Sequence, residues 1–199
     1  MMAGMAKTGL RPFFAVYSTF LQRAFDQCFQ EISLQGLPLR LCLDRAGLVG
    51  GDGAVHHGFC DVSLLRTLPG AVLLAAIDEA SLRASLEFMR MHDDGLTAVR
   101  YPRDDVDDRL AETDCPPFEI GRARCLLPNP KADVVVIAYG VPAMTALDAA
   151  SQLDSHIQVE VWDGRFAKPV DGDLIERTIR RGTPILTIEE HGLIGGFGA

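Results

Sequence analysis

Two short segments of this sequence, residues 44–58 and 99–103, carry charged side chains that could bind an anion. Arg45 lies in the first segment and Arg103 in the second, and paired guanidinium groups hold phosphate through charge-assisted hydrogen bonds. The first segment begins directly after a predicted buried strand and the second contains the end of another, and ligands of parallel sheets gather at the carboxyl ends of the strands. The pattern predicts a phosphate site at one sheet edge. A solvated surface role fits Arg100 more readily than Arg103.

The first segment also carries groups suited to proton transfer. Asp52 can accept hydrogen bonds from hydroxyl groups, and His56, next to His57, can move protons near neutral pH. The glycine-rich stretch is not a P-loop, because no Gly-Lys-Ser/Thr follows, and not a dinucleotide fingerprint, because His56 stands where a glycine is required. From the residues alone, a structural role for the histidines is as well supported as a catalytic one.

An aromatic group follows the first predicted strand. Tyr17 and Phe20 flank two hydroxyl residues, and Arg23 comes one helical turn later. These side chains could stack on a flat ring and hold an anion. On residue type alone the alternative is favoured, in which Tyr17 and Phe20 pack in the core and Arg23 faces water.

The composition limits the class of protein. The 199 residues include 19 Lys+Arg and 27 Asp+Glu, a formal net charge of −8, and 48% are hydrophobic. This acidic balance disfavours nucleic acid and anionic membranes as partners, since both reward a basic surface. No apolar run approaches the ~20 residues of a membrane helix, and no signal peptide is recognisable at the start, so a cytoplasmic protein is predicted. The five cysteines show no metal-ligand spacing, which predicts reduced thiols, with Cys28 and Cys42 in a core, and no metal site.

Apolar runs alternate with helical patterns, which predicts an α/β fold with a parallel sheet covered by helices on both faces. Strands are predicted at residues 13–17, 39–43, 71–77, 98–101, 134–138, 157–162 and 185–188. Helices are predicted over residues 21–32, around 82–89, and over 143–153 and 172–181.

The periodicity stops between Asp104 and Pro130, where acidic residues are followed by prolines. Charge repulsion and proline stiffness are typical of a linker between domains. An acidic surface loop within one domain is the alternative. We predict one domain over residues 1–108, a linker over 109–130 and a second domain over 131–199.

Taken together, the motifs resemble the 1-deoxy-D-xylulose-5-phosphate synthases, thiamine-diphosphate enzymes of the transketolase superfamily. The resemblance lies in Tyr17-Ser-Thr-Phe-Leu-Gln-Arg23, in Asp44-Arg-Ala-Gly-Leu-Val-Gly50 with Asp52 and His56, and in Val99-Arg-Tyr-Pro-Arg103. Further along, Val161-Trp-Asp-Gly-Arg-Phe-Ala-Lys-Pro-Val-Asp171 and Glu189-Glu190 leading to Gly195-Gly196 are similar to that family's C-terminal domain. The resemblance implies a pyrimidine-binding domain, truncated at its N-terminus, followed by part of a C-terminal transketolase domain.

The resemblance also implies an activity. Pyruvate and glyceraldehyde 3-phosphate would condense to 1-deoxy-D-xylulose 5-phosphate with loss of carbon dioxide, on the route to isoprenoids and thiamine. The implied site consists of cofactor-binding Phe20, Tyr17 and Arg23, substrate-binding Arg45 and Arg103, and catalytic Asp52 and His56. The cofactor would supply the carbon–carbon bond chemistry, and the protein would align and polarise the reactants.

Some family features differ or have no counterpart here. The aromatic residue in Phe59-Cys60 is shifted by one position, and Ala76-Ile77 stands where a Pro-Ser pair is usual. The family's activating glutamate and its domain that binds diphosphate and Mg²⁺ have no match in these residues. The expectation is a partial chain, inactive alone, from an enzyme that is a homodimer. A subunit of a split enzyme, or a non-catalytic module that binds a phosphate ligand, stays open.

Overall fold

The computed structural model describes residues 1–107, 109–110, 115–153 and 156–199. The strands are β1 (Phe13–Tyr17), β2 (Arg40–Asp44), β3 (Val72–Ala75), β4 (Thr97–Arg100), β5 (Arg124–Leu127), β6 (Val134–Tyr139), β7 (Val159–Asp163), β8 (Phe166–Lys168) and β9 (Ile185–Glu189). The α-helices are α1 (Met2–Lys7), α2 (Phe25–Gln27), α3 (Asp61–Arg66), α4 (Glu79–Met91), α5 (Pro142–Gln152) and α6 (Gly172–Arg180).

The strands form two sheets, in the order β1-β2-β4-β3-β8 and β5-β7-β6-β9. Strands β1 to β4 are parallel, as are β7, β6 and β9, so the predicted α/β fold is confirmed. The inner strands β2, β3, β4, β6 and β7 are buried almost throughout, as is typical of parallel strands covered on both faces, whereas β1 and β9 are partly exposed. One buried cluster joins the sheets, with Leu41 and Leu73 from the first and Val135 and Ile137 from the second.

Two edge strands were not predicted, and both are antiparallel. β5 lies inside the predicted linker and pairs with β7, so that segment is not a bare connection. β8 lies in the predicted second domain but pairs with β3 of the first sheet. β5 and β8 have four and three residues and are each followed by a proline, so neither lies in an apolar run long enough to be recognised. The predicted domain limits stay a prediction, and Asp108, the last residue of the predicted first domain, and residues 111–114 of the predicted linker lie outside the described residues.

The predicted helix over residues 21–32 is helical but irregular. Ser18–Ala24 winds as a 3₁₀ helix, Phe25–Gln27 is one α-helical turn, and Cys28–Ser33 is a π-helix. Leu21 and Ile32 are buried as the apolar stripe predicts. The spacing of the apolar residues depends on the average number of residues per turn. A tight 3₁₀ segment followed by a wide π segment leaves that average nearly unchanged, so the spacing predicts a helix but not its irregularity.

The predicted burial of Cys28 and Cys42 is confirmed. Burial raises the pKa of the Cys28 thiol to about 11, which keeps it protonated and unreactive. Within the described ranges, no helix is both long and apolar enough to span a bilayer.

A buried charged pair lies between β7 and β8. Asp163 accepts a hydrogen bond of 3.0 Å from the Arg165 backbone N–H, and its second carboxyl oxygen lies 3.8 Å from Arg165 Nε. The Arg165 guanidinium donates to the carbonyls of Pro116 and Pro117, which ties the segment after residue 114 to the fold. Burial raises the pKa of Asp163 to about 7.

We expect Asp163→Asn to flatten the dependence of stability on pH. Because the pKa of about 7 in the folded chain lies above the ordinary value, the stabilisation is full below about pH 4 and is lost as the pH rises through 7. Asparagine carries no charge and keeps the oxygen that accepts from Arg165. Urea unfolding at pH 5 and pH 8 checks this, with the exposed Asp26→Asn as the control. A wild-type chain that is equally stable at both pH values would contradict it.

Candidate functional site

The ends of the parallel strands bring the predicted residues to one edge of the first sheet. Tyr17, the last residue of β1, pairs directly with Asp44, the last residue of β2. Leu43 pairs with Arg100 at the end of β4. This alignment places the segments after β1, β2 and β4 side by side, as the sequence predicts.

Residues 45–58, here called the site loop, leave β2 at this edge. Arg45 adopts a left-handed conformation with φ 56, which turns the chain sharply out of the strand. Gly47 and Gly58 exchange two backbone hydrogen bonds, of 3.0 and 2.9 Å, which close the base of the loop. Between them lie two 3₁₀ turns, Gly50–Asp52 and Ala54–His56.

The arginines predicted to bind phosphate meet at one carboxylate. Asp52 Oδ2 lies 3.1 Å from Arg45 Nε and 3.5 Å from Arg103 Nε, and Arg45 Nη1 also lies 2.5 Å from Asp44 Oδ2. The two guanidinium groups therefore do not form an uncompensated positive patch, because two carboxylates offset their charge. An incoming anion must displace a carboxylate contact. The Arg103 side chain is 52% exposed and is the more accessible of the two arginines.

We expect Asp52→Asn to strengthen the binding of inorganic phosphate to this chain. The substitution removes the negative charge that competes for both guanidinium groups, and exchanging a partly exposed ion-pair partner is worth about 1 kcal/mol, roughly fivefold in affinity. Isothermal titration calorimetry measures the change, with Asp26→Asn as the control. Weaker phosphate binding by the Asp52 variant would show that the anion does not bind between these arginines.

An aromatic group lies beside the charged one. The Tyr17 and Phe20 rings stack at 5.3 Å with an interplanar angle of 11°, and the His56 ring contacts Phe20 edge-on at 5.8 Å. Arg45 Cζ lies 3.9 Å from the Tyr17 ring centroid, so Tyr17 joins the aromatic and charged groups. Phe20 is 40% exposed, and the alternative that it packs in the core is wrong.

Arg23 is not part of this group. Its side chain is exposed on the 3₁₀ helix after β1, and among the described residues it has no ion-pair partner. Helical winding separates it from the strand end, because a residue six positions after Tyr17 has turned away from the sheet edge.

The two histidines have different roles in the site loop. His56 Nδ1 lies 2.7 Å from the Asp52 backbone oxygen, and since a carbonyl only accepts, Nδ1 carries the proton and Nε2 can accept one. His57 Nδ1 accepts from the Val49 backbone N–H at 3.1 Å, and its ring packs against Phe59 at 5.5 Å. His56 is thus available for chemistry, whereas His57 and the shifted Phe59 support the loop.

Sequence reasoning missed one buried pair below the site. Arg100 is 6% exposed and bonds Asp61 with an Nε–Oδ2 distance of 2.9 Å, so the alternative of a solvated surface role for Arg100 is wrong. Burial alone would lower the pKa of Arg100, but the charge of Asp61 and the neighbouring groups raise it. An arginine in the last position of an apolar strand was the available signal. Asp61 lies 39 residues away, and nothing in the local pattern connects the two.

The residues present fit a planar heteroaromatic cofactor. An exposed Phe20 ring, backed by Tyr17, offers a stacking surface at the sheet edge. Within the described part of the chain, no group of three or more His, Cys, Asp or Glu side chains could hold a metal ion.

Two domains of one protein family match this chain. The transketolase pyrimidine-binding domain matches residues 1–108, and the transketolase C-terminal domain matches residues 123–199. The chain belongs to the transketolase family. Strands β1 to β4 lie within the match to the pyrimidine-binding domain, and strands β5 to β9 lie within the match to the C-terminal domain.

Relatives within this family share close to half of the sequence. The chain is 43% identical to the 1-deoxy-D-xylulose-5-phosphate synthase of Chlorobium phaeovibrioides over 99% of its own length and 31% of that relative. It is 42% identical to the same enzyme of Rhodobacter capsulatus, over 99% of this chain and 30% of the relative. It is 44% identical to the 1-deoxy-D-xylulose-5-phosphate synthase 1 of Geobacter sulfurreducens, over 99% of this chain and 31% of the relative. This transketolase-family chain thus spans less than a third of the length of these relatives.

Solved structures confirm the fold. A split-gene transketolase, described as an inactive beta4 tetramer, superimposes with a TM-score of 0.86 at 30% identity, covering 98% of this chain and 63% of that one. A transketolase mutant from Pichia stipitis, in complex with fructose 6-phosphate, superimposes with a TM-score of 0.77 at 17% identity, covering 93% of this chain and 28% of that one.

Proposed function

We propose that this chain is part of a thiamine-diphosphate-dependent transferase that makes 1-deoxy-D-xylulose 5-phosphate from pyruvate and glyceraldehyde 3-phosphate, with loss of carbon dioxide. The observation that carries the proposal is the convergence of Arg45 and Arg103 on Asp52, next to the exposed Phe20 ring and His56. A cationic pair beside a stacking surface and a proton acceptor suits a phosphorylated acceptor held near an aromatic cofactor. The proposal is also supported by the similarity to a 1-deoxy-D-xylulose-5-phosphate synthase that is 43% identical over 99% of this chain.

In this proposal the aromatic group holds the aminopyrimidine ring. Phe20 stacks on the ring, Tyr17 backs Phe20, and Arg23 lies further out at the exposed rim. Thiamine diphosphate, when bound, supplies the carbon nucleophile of the reaction. Its diphosphate and Mg²⁺ would be held by a domain other than this chain.

The charged residues would act on the substrates. Arg45 and Arg103 bind the phosphate of glyceraldehyde 3-phosphate after Asp52 releases part of its contact with them. His56 accepts or donates a proton at Nε2, because its Nδ1–H is held by the Asp52 carbonyl. Asp52 then accepts a hydrogen bond from a substrate hydroxyl group and so orients it.

We expect Phe20→Ala to raise the thiamine diphosphate concentration needed for half-maximal activity about tenfold, because a stacking contact of ~1–1.5 kcal/mol is lost. Phe20→Tyr keeps the ring and is the matched control. Activity is measured in the assembled enzyme, this chain combined with a diphosphate-binding domain, over a range of cofactor concentrations. An unchanged cofactor requirement in the alanine variant would remove Phe20 from the cofactor site.

The proposal includes an organisation for the whole enzyme. Residues 1–108 would form the pyrimidine-binding domain, 109–130 the linker and 131–199 the C-terminal domain of a cytoplasmic homodimer. Without a diphosphate-binding domain, the purified 199-residue chain should show no synthase activity. The experiment is to assay pyruvate decarboxylation and product formation with and without an added diphosphate-binding domain. Activity of the chain alone would contradict this organisation, and failure to gain activity with that domain would count against the proposed reaction.

A second candidate is that this chain is one subunit of a split enzyme. The observation that favours it is the likeness to a split-gene transketolase, with a TM-score of 0.86 over 98% of this chain. Affinity purification from the native source distinguishes the two. Co-purification with a separate polypeptide that restores activity supports a split enzyme, and recovery of these residues only within a longer polypeptide contradicts it.

A further inference from the structure

Arg100 is a buried charged group beside the site, 6% exposed. It ends β4, and its guanidinium forms a two-point contact with Asp61, with Nε–Oδ2 at 2.9 Å and Nη2–Oδ1 at 3.4 Å. Asp61 is 2% exposed and begins α3, directly after the site loop. Both charges are therefore removed from water. In a buried pair of this kind, the free-energy cost of desolvating the two charges cancels most of their attraction.

The same guanidinium also holds two backbone carbonyls. Arg100 Nη2 donates to the Gly58 oxygen at 3.3 Å and to the Glu190 oxygen at 3.1 Å. Gly58 ends the site loop, and Glu190 follows β9 of the second sheet. Arg100 thus joins the loop, α3 and the second sheet at one point.

The position of Gly58 determines the position of the site loop. Gly58 is bonded in both directions to Gly47, and a Cβ atom on it would lie 2.5 Å from Ser18 Oγ and 2.7 Å from the Arg45 carbonyl. A displacement of Gly58 therefore displaces Arg45 or breaks the two backbone hydrogen bonds between Gly47 and Gly58, here called the Gly47–Gly58 bridge. At the other end of the loop, a Cβ atom on Gly47 would lie 2.4 Å from Glu190 Oε2.

We infer that Arg100 is a positioning residue that keeps the site loop closed at its base and couples it to the second sheet. An apolar pair could fill the same space as Arg100 and Asp61 at little cost in stability. It could not donate hydrogen bonds to the carbonyls of Gly58 and Glu190. The structural part of this inference stands independently, whereas its consequence for ligand binding rests on the proposed function.

The double variant Arg100→Met/Asp61→Leu separates positioning from folding. We expect it to melt near the wild-type temperature, while amide hydrogen exchange at Gly47 and Gly58 rises about tenfold because the bridge opens more often. The His56 Nδ1–H signal in proton NMR should broaden, since its acceptor is part of the same loop. The matched control, Arg90→Met/Glu87→Leu, removes an exposed pair on α4 and should leave both signals unchanged.

Inorganic phosphate, titrated by calorimetry, is the ligand probe, and we expect its affinity for the double variant to fall about tenfold. Wild-type exchange at Gly47 and Gly58 in the folded double variant would overturn the inference. If exchange rises but the wild-type chain binds no phosphate, the positioning role stands and the proposed function loses its support. If the double variant does not fold, the Arg100→Lys variant tests the inference. Lysine keeps the positive charge but lacks the guanidinium group that contacts Asp61, Gly58 and Glu190 at once. Raised loop exchange in that variant supports the inference, and wild-type exchange overturns it.

Discussion

Replacing Arg45 with alanine is expected to reduce kcat/KM for glyceraldehyde 3-phosphate by two to three orders of magnitude, or about 3–4 kcal/mol. Arg45 is 21% exposed and fixed by Asp44, Asp52 and the Tyr17 ring, so its guanidinium is already oriented before the phosphate arrives. Its loss also leaves two carboxylates facing the bound phosphate. The KM for pyruvate should change less than about twofold, since pyruvate carries no phosphate.

The measurement is steady-state kinetics of the assembled enzyme, with each substrate varied in turn. Arg103→Ala should show the same selectivity with a smaller loss, because Arg103 is 52% exposed and less constrained. The control is Arg83→Ala, an exposed residue of α4 paired with Glu79, which should behave as wild type. Equal losses for pyruvate and the acceptor would place Arg45 outside the phosphate site. At position 45 the backbone is left-handed, and alanine is no more strained in that conformation than arginine. The stability of the Arg45→Ala variant should therefore change little.

The single substitution Arg100→Met is expected to lower the free energy of unfolding by about 3–5 kcal/mol. It leaves the Asp61 carboxylate, 2% exposed, without its counter-ion and also removes the donors to Gly58 and Glu190. Urea unfolding at neutral pH measures this loss.

Two comparisons make this prediction specific. Adding Asp61→Leu to Arg100→Met should recover most of the lost stability, since neither position then carries a buried charge. Arg83→Met, which breaks an exposed pair one helical turn apart, should cost less than about 0.5 kcal/mol. A loss of that small size in Arg100→Met would mean that water reaches Asp61 and that the pair is not buried in solution.

Much of the fold was predictable because its signals are local. β1 coincides with the predicted strand at residues 13–17, and α6 ends one residue before the predicted limit. In both elements the pattern of apolar residues lies within one short segment of the sequence, so it can be recognised without knowing the packing. β8 gave no such signal, since three residues before Pro169 show no period and its antiparallel pairing with β3 depends on how the second sheet packs.

The candidate site divides in the same way. The residues that end strands could be identified in advance, because parallel strands bring their carboxyl ends to one edge. That Phe20 is exposed and Arg23 points away depends on the 3₁₀ winding after β1, which the apolar stripe does not report. The offset of arginine charge by Asp44 and Asp52 likewise depends on the path of the site loop.

The sequence by itself determined the α/β class, the strand ends and the residue types that meet there, because each follows from local periodicity and strand direction. Only the tertiary structure decided that Arg100 is buried against Asp61 and bonded to Glu190. These partners are 39 and 90 residues away. The physical reason is that the partner of a buried charge is set by the packing of distant elements, and no local pattern records that packing.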